Sequence, residues 1–429
     1  MDSAILHGSP TASAYTLPNG LTIALEPLPH VHSVSAGVWI RTGPIHETAH
    51  ENGVSHFLEH LLFKGTEKRT ARRIVEDIEA KGGHINAVTS RDYTCVYVKV
   101  LDSHCAMGID VLADVVRNSQ LRDVEKERNV IIEEINSVED IPEELAHDLF
   151  AERLWPGHPL GRPIQGTLET VRGLNRDAIE AYYRRWYQPG NMVFTVAGRF
   201  DPAAVHGQIA EAFADMDASA STLPDEPAPP APAAIVEAAE RDIGQSHLCF
   251  GYPGALASAE DRYVHDLLGC ALGGGSTSRL FERVREDEGL AYAIYSFQSS
   301  YTLAGMFGVY AAVAPENLQT TLDICSAELH SFATEPLSDY ELELNREQLK
   351  GGLLMALENT SARMARLAKC MLYHGRILPI HEVIQHIDAV TASDVQAAAQ
   401  ELFQPGRCCM TVVGPKPPKP LSPLPHCAE

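Results

Sequence analysis

The sequence predicts an α+β protein of two homologous domains, each a largely antiparallel sheet packed with helices. Three observations support this fold class. The chain has 429 residues, more than one compact core usually holds. It contains an internal repeat, which predicts two copies of one structural unit. Within the first copy, strand-like patterns with a period of two alternate with helical patterns.

The repeat is clearest where each copy ends. RRWYQPGNMVFTVAGRF occupies residues 184–200, and QELFQPGRCCMTVVGPK occupies residues 400–416. Each predicts a helix end, a Gln-Pro-Gly turn and a short apolar strand. SAGVWIRTG likewise resembles SHLCFGYPG, and GLNRDAIEAYY resembles AVTASDVQAAA. Two copies of one fold explain all three pairs.

In the first copy, strands come first, followed by helices, a further strand and more helices. LTIALEPL and VSAGVWIR alternate as half-buried strands do, and helical patterns begin at Val54 and at Ala71. TCVYVKVL then returns to a period of two. Helices are predicted for HCAMGIDVLADVVRN, DVEKERNVIIEEINSV and NRDAIEAYYRRWY. This mixed order favours helices packed on a sheet.

Two segments without a hydrophobic period set the domain boundaries. Residues 219–234, SASTLPDEPAPPAPAA, contain five prolines and predict an extended Pro/Ala-rich linker. Residues 415–429 have the same character and predict a disordered Pro-rich tail. We therefore expect one domain at 1–218 and a second at 235–414.

Composition argues against two classes of function. The 57 acidic and 34 basic side chains give a net charge of -23, which would repel nucleic acid. No apolar run approaches the roughly 20 residues of a membrane span. The N-terminal segment has neither a secretion signal nor the arginines of a transit peptide, which favours a cytoplasmic location. The acidic excess either serves solubility or lines a cavity that attracts basic peptides.

The segment GVSHFLEHLLFKGT, residues 53–66, contains a candidate metal centre. His56 and His60 are four positions apart on a predicted helix, so their side chains lie about 40° apart around its axis and can reach one ion. Glu59 lies beside them and can act as a general base. The order H-x-x-E-H is the inverse of the H-E-x-x-H of many zinc proteases. The alternative is an exposed helix face with ordinary polar residues.

A third ligand is predicted on the helix EKERNVIIEEINSVED, because catalytic zinc typically takes three protein ligands. Glu127 and Glu134 are about two turns apart and share a face. Val130 and Ile131 lie on that face, which predicts that it turns inward, whereas Glu133 points into solvent. We assign Glu134 as the ligand and Glu127 as the partner that orients a histidine through its second nitrogen. The alternative is a surface helix rich in glutamate.

Four segments resemble the N-terminal half of the pitrilysin and mitochondrial processing peptidase family, the inverzincin zinc peptidases. These are HFLEHLLFKGT, KGGHINAVTSRDYTCVYV, ERNVIIEEI and HPLGRPIQGT, in that order. The resemblance extends over nearly the whole chain and implies two domains that face each other as a clam-shell. It also implies a zinc-dependent endopeptidase with one Zn²⁺ per chain, which cleaves unfolded peptides or protein segments in a closed cavity. Glu59 would be the general base for a metal-activated water.

The second copy does not repeat the metal motif, since Val264, Leu267 and Leu268 align with its three residues. It retains LGGGSTSRLFERVREDEGLAYAIYSF, which resembles the family's glycine-rich segment followed by an arginine and a tyrosine. Arg285 and Tyr292 occupy those positions. The resemblance implies that they hold the substrate backbone and stabilise the developing oxyanion. The alternative is an arginine on a solvated helix face and a tyrosine in a strand.

The segment HINAVTSRDYT has the family's position for an edge strand. A bound peptide would add to that strand by backbone hydrogen bonds. The resemblance implies substrate contacts from His84, Asn86, Ala87, Val88 and Thr89. The alternative is an ordinary sheet margin.

The resemblance also bears on assembly, because the chain has about half the length of the family's single-chain members and matches the short subunits that pair. It implies a homodimer, or a heterodimer with a homologous subunit. The metal motif together with the arginine-tyrosine pair predicts the catalytic subunit. Two other classes stay open: a non-catalytic core or scaffold subunit, and a peptide-binding partner that does not cleave. The ligand types would also accept cobalt or manganese.

Overall fold

The computed structural model describes residues 12–218, 228–230, 235–404 and 406–416. Most of the predicted linker at 219–234 lies outside these residues, and so does the predicted tail from residue 417 onward. The chain forms two compact units. The first unit comprises Met1–Ile135, Pro163–Asp225 and Leu354–His381, and the second comprises Asn136–Arg162, Glu226–Leu353 and Glu382–Glu429.

The strands of the described residues follow in chain order. They are β1 (Ser13–Thr16), β2 (Thr22–Pro27), β3 (Ser33–Ile40), β4 (His84–Thr89), β5 (Thr94–Leu101), β6 (Met192–Gly198), β7 (Ile235–Glu240), β8 (Ser246–Gly254), β9 (Ala291–Ser300), β10 (Gly305–Val313) and β11 (Cys409–Gly414). The strands predicted from LTIALEPL, VSAGVWIR and TCVYVKVL correspond to β2, β3 and β5.

The α-helices also follow in chain order. They are α1 (Val54–Leu62), α2 (Ala71–Glu79), α3 (Cys105–Asn118), α4 (Val124–Glu139), α5 (Pro142–Leu154), α6 (Leu168–Gly173), α7 (Arg176–Trp186), α8 (Pro202–Ala212), α9 (Arg262–Gly273), α10 (Leu318–Thr334), α11 (Asp339–Ala356), α12 (Thr360–His374), α13 (Ile380–Ala389) and α14 (Ala392–Leu402). A π-helical segment, Phe281–Asp287, precedes β9. Within the described part of the chain, no helix combines the length and apolar character that crossing a membrane would require.

The two sheets share one topology. The first has the order β1-β2-β6-β3-β5-β4, and the second has the order β7-β11-β8-β10-β9. Without β1, each sheet has five strands. If these strands are numbered along the chain, their order across each sheet is first, fifth, second, fourth, third. The parallel pairs are β2 with β6 and β7 with β11, and the remaining pairs are antiparallel. The predicted α+β class with two homologous, largely antiparallel sheets is therefore confirmed.

The first sheet is buried on both faces. On one face, apolar residues such as Ile23 and Val38 pack in a core with Phe57 of α1 and with residues of α3. On the other face, Trp39 and Val193 pack in a second cluster with Leu367 of α12 and its neighbours. Sealing of both faces explains why β3 and β6 are almost continuously apolar and buried.

The second sheet is also packed on two faces. One face joins a core that includes Phe250 of β8, Leu268 of α9 and Leu329 of α10. Helix α5 lies against the other face, where the Thr411 hydroxyl donates to the Ala146 carbonyl at 3.1 Å. Helix α5 comes from the first half of the chain but belongs to the second unit. Helix α12 comes from the second half of the chain but belongs to the first unit. The domains predicted at 1–218 and 235–414 are each continuous in sequence, so the prediction did not include this exchange of helices.

Candidate active site

Helix α1 carries the H-x-x-E-H motif, and its first turn is fixed by two local features. Gly53 precedes it with φ +93°, and a Cβ there would lie 2.6 Å from the Gln165 carbonyl oxygen, so glycine is required. The buried Glu47 carboxylate accepts hydrogen bonds from the backbone N–H groups of Gly53 at 2.8 Å and Ser55 at 2.9 Å. These contacts satisfy donors that a helix N-terminus otherwise leaves unpaired. Burial raises the pKa of Glu47, while its hydrogen bonds oppose that shift.

The two histidines of the motif lie side by side at the half-buried edge of α1. The ring centroids of His56 and His60 are 4.8 Å apart. Burial, followed by the charge of His60, lowers the pKa of His56 to about 3. His56 is therefore neutral at physiological pH, the form in which imidazole ligates a metal.

Helix α4 brings a carboxylate to the same point. Oε2 of Glu134 lies 3.5 Å from Nε2 of His60 and 3.8 Å from Nε2 of His56. One ligand atom from each of these three residues lies within 4.8 Å of the others. Ligand atoms around a tetrahedral zinc ion lie about 3.4 Å apart, given bonds of about 2.0–2.2 Å. Two imidazoles and a carboxylate with this spacing fit a catalytic zinc site that keeps a position open.

Glu127 lies behind His60. Its Oε2 is 3.4 Å from Nδ1 of His60, and its Oε1 is 2.8 Å from Nζ of Lys64. The residue is only 3% exposed, so the Lys64 ammonium compensates a charge that burial would otherwise penalise. A carboxylate on Nδ1 leaves Nε2 of His60 free to face Glu134. Sequence reasoning found Glu127 from helical spacing but did not identify Lys64.

The inward face of α4 is narrower than the sequence indicates. Ile131 is buried and Glu133 is exposed, as the helical spacing predicts. Val130 is 39% exposed, so the prediction that it turns inward is wrong. Val130 lies about 60° around the axis from Glu127, on the side opposite Ile131, and this places it at the margin of the buried face.

Glu59 is partly buried beside the cluster, and the Thr89 hydroxyl donates a hydrogen bond to its Oε2. Burial raises the pKa of Glu59, although hydrogen bonds from Thr89 and the charge of His60 oppose the shift. A raised carboxyl pKa brings a general base closer to the pH at which it works. The family resemblance implies substrate contact for Thr89, and nothing in the sequence indicates its hydrogen bond to Glu59.

The predicted edge strand is β4, which lies at the margin of the first sheet. Along it, His84, Asn86 and Val88 are exposed, whereas Ala87 and Thr89 are buried. An edge strand presents backbone donors and acceptors on its open side, to which a peptide can add. Contact of these five residues with a substrate stays a prediction, and Ala87 and Thr89 would make it through backbone atoms.

Arg285 and Tyr292 lie together in the second unit. Nη1 of Arg285 donates to the Tyr292 carbonyl at 3.0 Å. The Arg285 guanidinium also lies 4.7 Å from the ring centroid of Phe281 and 5.0 Å from that of Tyr292. Tyr292 is 81% exposed, so its phenol is available to a ligand. The role of this pair toward a substrate stays a prediction.

Solved structures show that this two-sheet architecture belongs to a known class. A protease from Helicobacter pylori superposes with a TM-score of 0.89 at 22% identity, covering 95% of this chain and 100% of that chain. A putative M16-like peptidase from Alicyclobacillus acidocaldarius superposes with a TM-score of 0.83 at 24% identity, covering 94% and 98%. At such identities the likeness establishes the fold alone.

Sequence comparison extends this result to the family. Residues 22–168 match the family described as "Insulinase (Peptidase family M16)", and residues 173–349 match "Peptidase M16 inactive domain". An uncharacterized zinc protease of Streptomyces coelicolor is 41% identical over 426 residues, covering 97% of this chain and 93% of the relative. One of Bacillus subtilis is 39% identical over 393 residues, covering 91% and 95%. The chain belongs to peptidase family M16, the pitrilysin-like family that its motifs resemble.

The candidate metal ligands and the candidate general base all lie in the first of the two family matches. His56, Glu59, His60 and Glu134 all lie within residues 22–168, the part that matches the insulinase description. Residues 173–349 match the inactive domain, and in the second copy Val264, Leu267 and Leu268 align with the motif residues. Among the described residues, the candidate metal-ligand cluster therefore lies in the first copy, and the aligned motif positions of the second copy carry no metal ligand.

Proposed function

We propose that the protein is a zinc-dependent endopeptidase that cleaves unfolded peptides or protein segments. The observation that carries this proposal is the convergence of ligand atoms from His56, His60 and Glu134 within 4.8 Å, with the partly buried Glu59 beside them. The relatives named as zinc proteases support the same chemistry. One Zn²⁺ per chain is the content that a single cluster of this kind would hold.

In this mechanism His56, His60 and Glu134 would hold the metal, and Glu127 keeps His60 in the ligating tautomer. Zinc, when bound, supplies a Lewis acid that polarises the scissile carbonyl and makes water acidic enough to attack near neutral pH. Glu59 takes a proton at its carboxylate from the attacking water and passes it to the leaving amine. The peptide backbone adds to the open edge of β4. Arg285 and Tyr292 stabilise the oxyanion and hold the substrate.

The proposal includes a closed cavity that admits unfolded chains, and a cytoplasmic homodimer or heterodimer with a homologous subunit. The net charge of -23 supports basic peptides as preferred substrates, because like charge would repel acidic ones. Size-exclusion chromatography with light scattering measures the assembly. A stable, inactive monomer would point to a required partner.

The test is digestion of an unstructured basic peptide, read by mass spectrometry, with and without a chelator. Wild-type protein should cleave the peptide, lose activity on chelation and regain it with zinc. The Glu59→Gln variant should keep about one zinc per chain yet lose at least about 100-fold in kcat, because it lacks a proton acceptor. Substantial cleavage by zinc-loaded Glu59→Gln would refute the role of Glu59.

A second candidate is a non-catalytic core subunit or a peptide-binding partner in a heterodimeric peptidase. The match of residues 173–349 to an inactive domain favours keeping it. A core subunit predicts purification without stoichiometric zinc. A binding partner predicts peptide capture without cleavage, and both outcomes are visible in the same digestion experiment combined with metal analysis.

A further inference from the structure

Thr89 connects the candidate general base to the edge strand. It is the last residue of β4 and pairs with Thr94 of β5, where the hairpin turns. Its side chain is buried, with the residue only 8% exposed. The hydroxyl donates a hydrogen bond to Oε2 of Glu59. One residue of the sheet therefore holds the Glu59 side chain through its hydroxyl.

We propose that Thr89 is a positioning residue, which holds the Glu59 carboxylate beside the metal-ligand cluster through its hydroxyl. This inference rests on the proposed peptidase function. A glutamate side chain has three rotatable torsions, so a base that is attached only through its own helix samples several orientations. Proton transfer requires the carboxylate within about 2.6–3.2 Å of the proton that it accepts. The Thr89 contact removes competing orientations before the substrate arrives.

The position of Thr89 also predicts that substrate binding strengthens the contact between Thr89 and Glu59. The residue lies on the strand whose open edge would receive the peptide backbone, and its side chain points to the buried side of that strand. A peptide that adds to β4 would further order the strand that holds Glu59. The two events, peptide alignment and orientation of the base, would then share one structural element.

The experiment compares two isosteric substitutions in the same hairpin. Thr89→Val removes the hydroxyl that reaches Glu59 and keeps the backbone amide. Thr94→Val is the matched control, because Thr94 is also buried, is paired with Thr89, and donates its hydroxyl to the Thr42 carbonyl at 3.0 Å. We expect Thr89→Val to lower kcat by about 10- to 100-fold, a part of the contribution that a general base makes. KM and zinc content should stay within about twofold of the wild-type values, and Thr89→Ser should restore most of kcat.

Three results would overturn the inference: a kcat of Thr89→Val within about twofold of wild type, an equal loss in Thr94→Val, or no recovery in Thr89→Ser. If Thr89→Val fails to fold, the comparison is made between Thr89→Ser and Thr89→Ala, and equal kcat values would contradict the role of the hydroxyl. A zinc-loaded wild-type protein that is assembled as a dimer and still lacks peptidase activity would instead refute the proposed function. The two failures are therefore distinguishable.

Discussion

Nδ1 of His60 lies 3.4 Å from Oε2 of Glu127, on the side of the ring away from Glu134. The two nitrogens of one imidazole thus face two carboxylates, both supplied by α4. Glu127 also contacts Lys64, which lies just beyond the end of α1. The orientation of His60 is therefore supported by contacts within the protein itself.

Replacing Glu127 should therefore weaken metal binding without removing a ligand. Glu127→Gln loses the negative charge that supports His60 and leaves Lys64 without its ionic partner. We expect zinc affinity to fall by about 10- to 100-fold, measured by competition with a chromogenic chelator. Glu133→Gln is the control, because Glu133 is exposed on the same helix. Equal affinities for the two variants would show that Glu127 does not orient the ligand.

Gly53→Ala should destabilise the start of α1. The added Cβ would lie 2.6 Å from the Gln165 carbonyl oxygen, and the backbone has φ +93°. Gly157→Ala is the control, since Gly157 also has a positive φ, +73°, with nothing within 4 Å of an added Cβ. Urea unfolding should show that Gly53→Ala costs about 1–3 kcal/mol more than the control. Equal costs would indicate that the turn yields to the added methyl.

Leu367→Ala should lower the stability of the first unit although the residue belongs to the second half of the chain. Leu367 is fully buried on α12, in a cluster with Trp39 and Val193. Truncation of a buried leucine costs about 2–5 kcal/mol through lost burial and the cavity left behind. The neighbouring Lys369 is exposed, so Lys369→Ala should stay within about 0.5 kcal/mol of wild type. Tryptophan fluorescence during urea unfolding measures both, and a Leu367→Ala value as small as the control's would contradict packing of α12 on the first sheet.

A buried histidine outside the ligand cluster should make stability depend on pH. Burial lowers the pKa of His46 to about 4, and its Nδ1 accepts a hydrogen bond from the Gly43 amide at 3.2 Å. The unfolded chain therefore binds the proton more readily, with a pKa of about 6.5. The stability that the neutral His46 side chain contributes to the fold is fully present above pH 6.5 and declines as the pH falls toward 4.

Between pH 7 and pH 5, the loss attributable to His46 should be about 2 kcal/mol in the free energy of unfolding. The measurement is urea unfolding of metal-free wild type and His46→Gln at both pH values. The difference between the two proteins isolates His46 from other titrating groups. An identical pH dependence in both would show that the His46 proton equilibrium does not change on folding.

Much of the site was predictable because helical spacing is a local property. The positions of His56 and His60 on one helix, and of Glu127 and Glu134 on another, follow from a period of about 3.6 residues. The ion pair between Lys64 and Glu127 depends on the direction of the Lys64 side chain. The hydrogen bond from Thr89 to Glu59 depends on the packing of β4 against α1. The spacing of residues along the chain does not indicate the contact between Thr89 and Glu59.

The fold shows a similar division. Period-two patterns and the repeated Gln-Pro-Gly segments predicted the strands and the doubled architecture. The exchange of α5 and α12 was not predicted, because an amphipathic helix shows that it has an apolar face but not which sheet that face will meet. The sequence pattern of each helix does not distinguish the two copies of a repeated sheet, so only the folded structure assigns α5 and α12.

The central claim is that His56, His60 and Glu134 bind one divalent ion. The most direct measurement is a crystal structure of the zinc-loaded protein with anomalous data collected on both sides of the zinc edge. We expect one anomalous peak within about 2.0–2.2 Å of Nε2 of each histidine and of a Glu134 carboxylate oxygen. A peak elsewhere, or a stoichiometrically zinc-loaded protein in which Glu134 points into solvent away from both imidazoles, would contradict the claim.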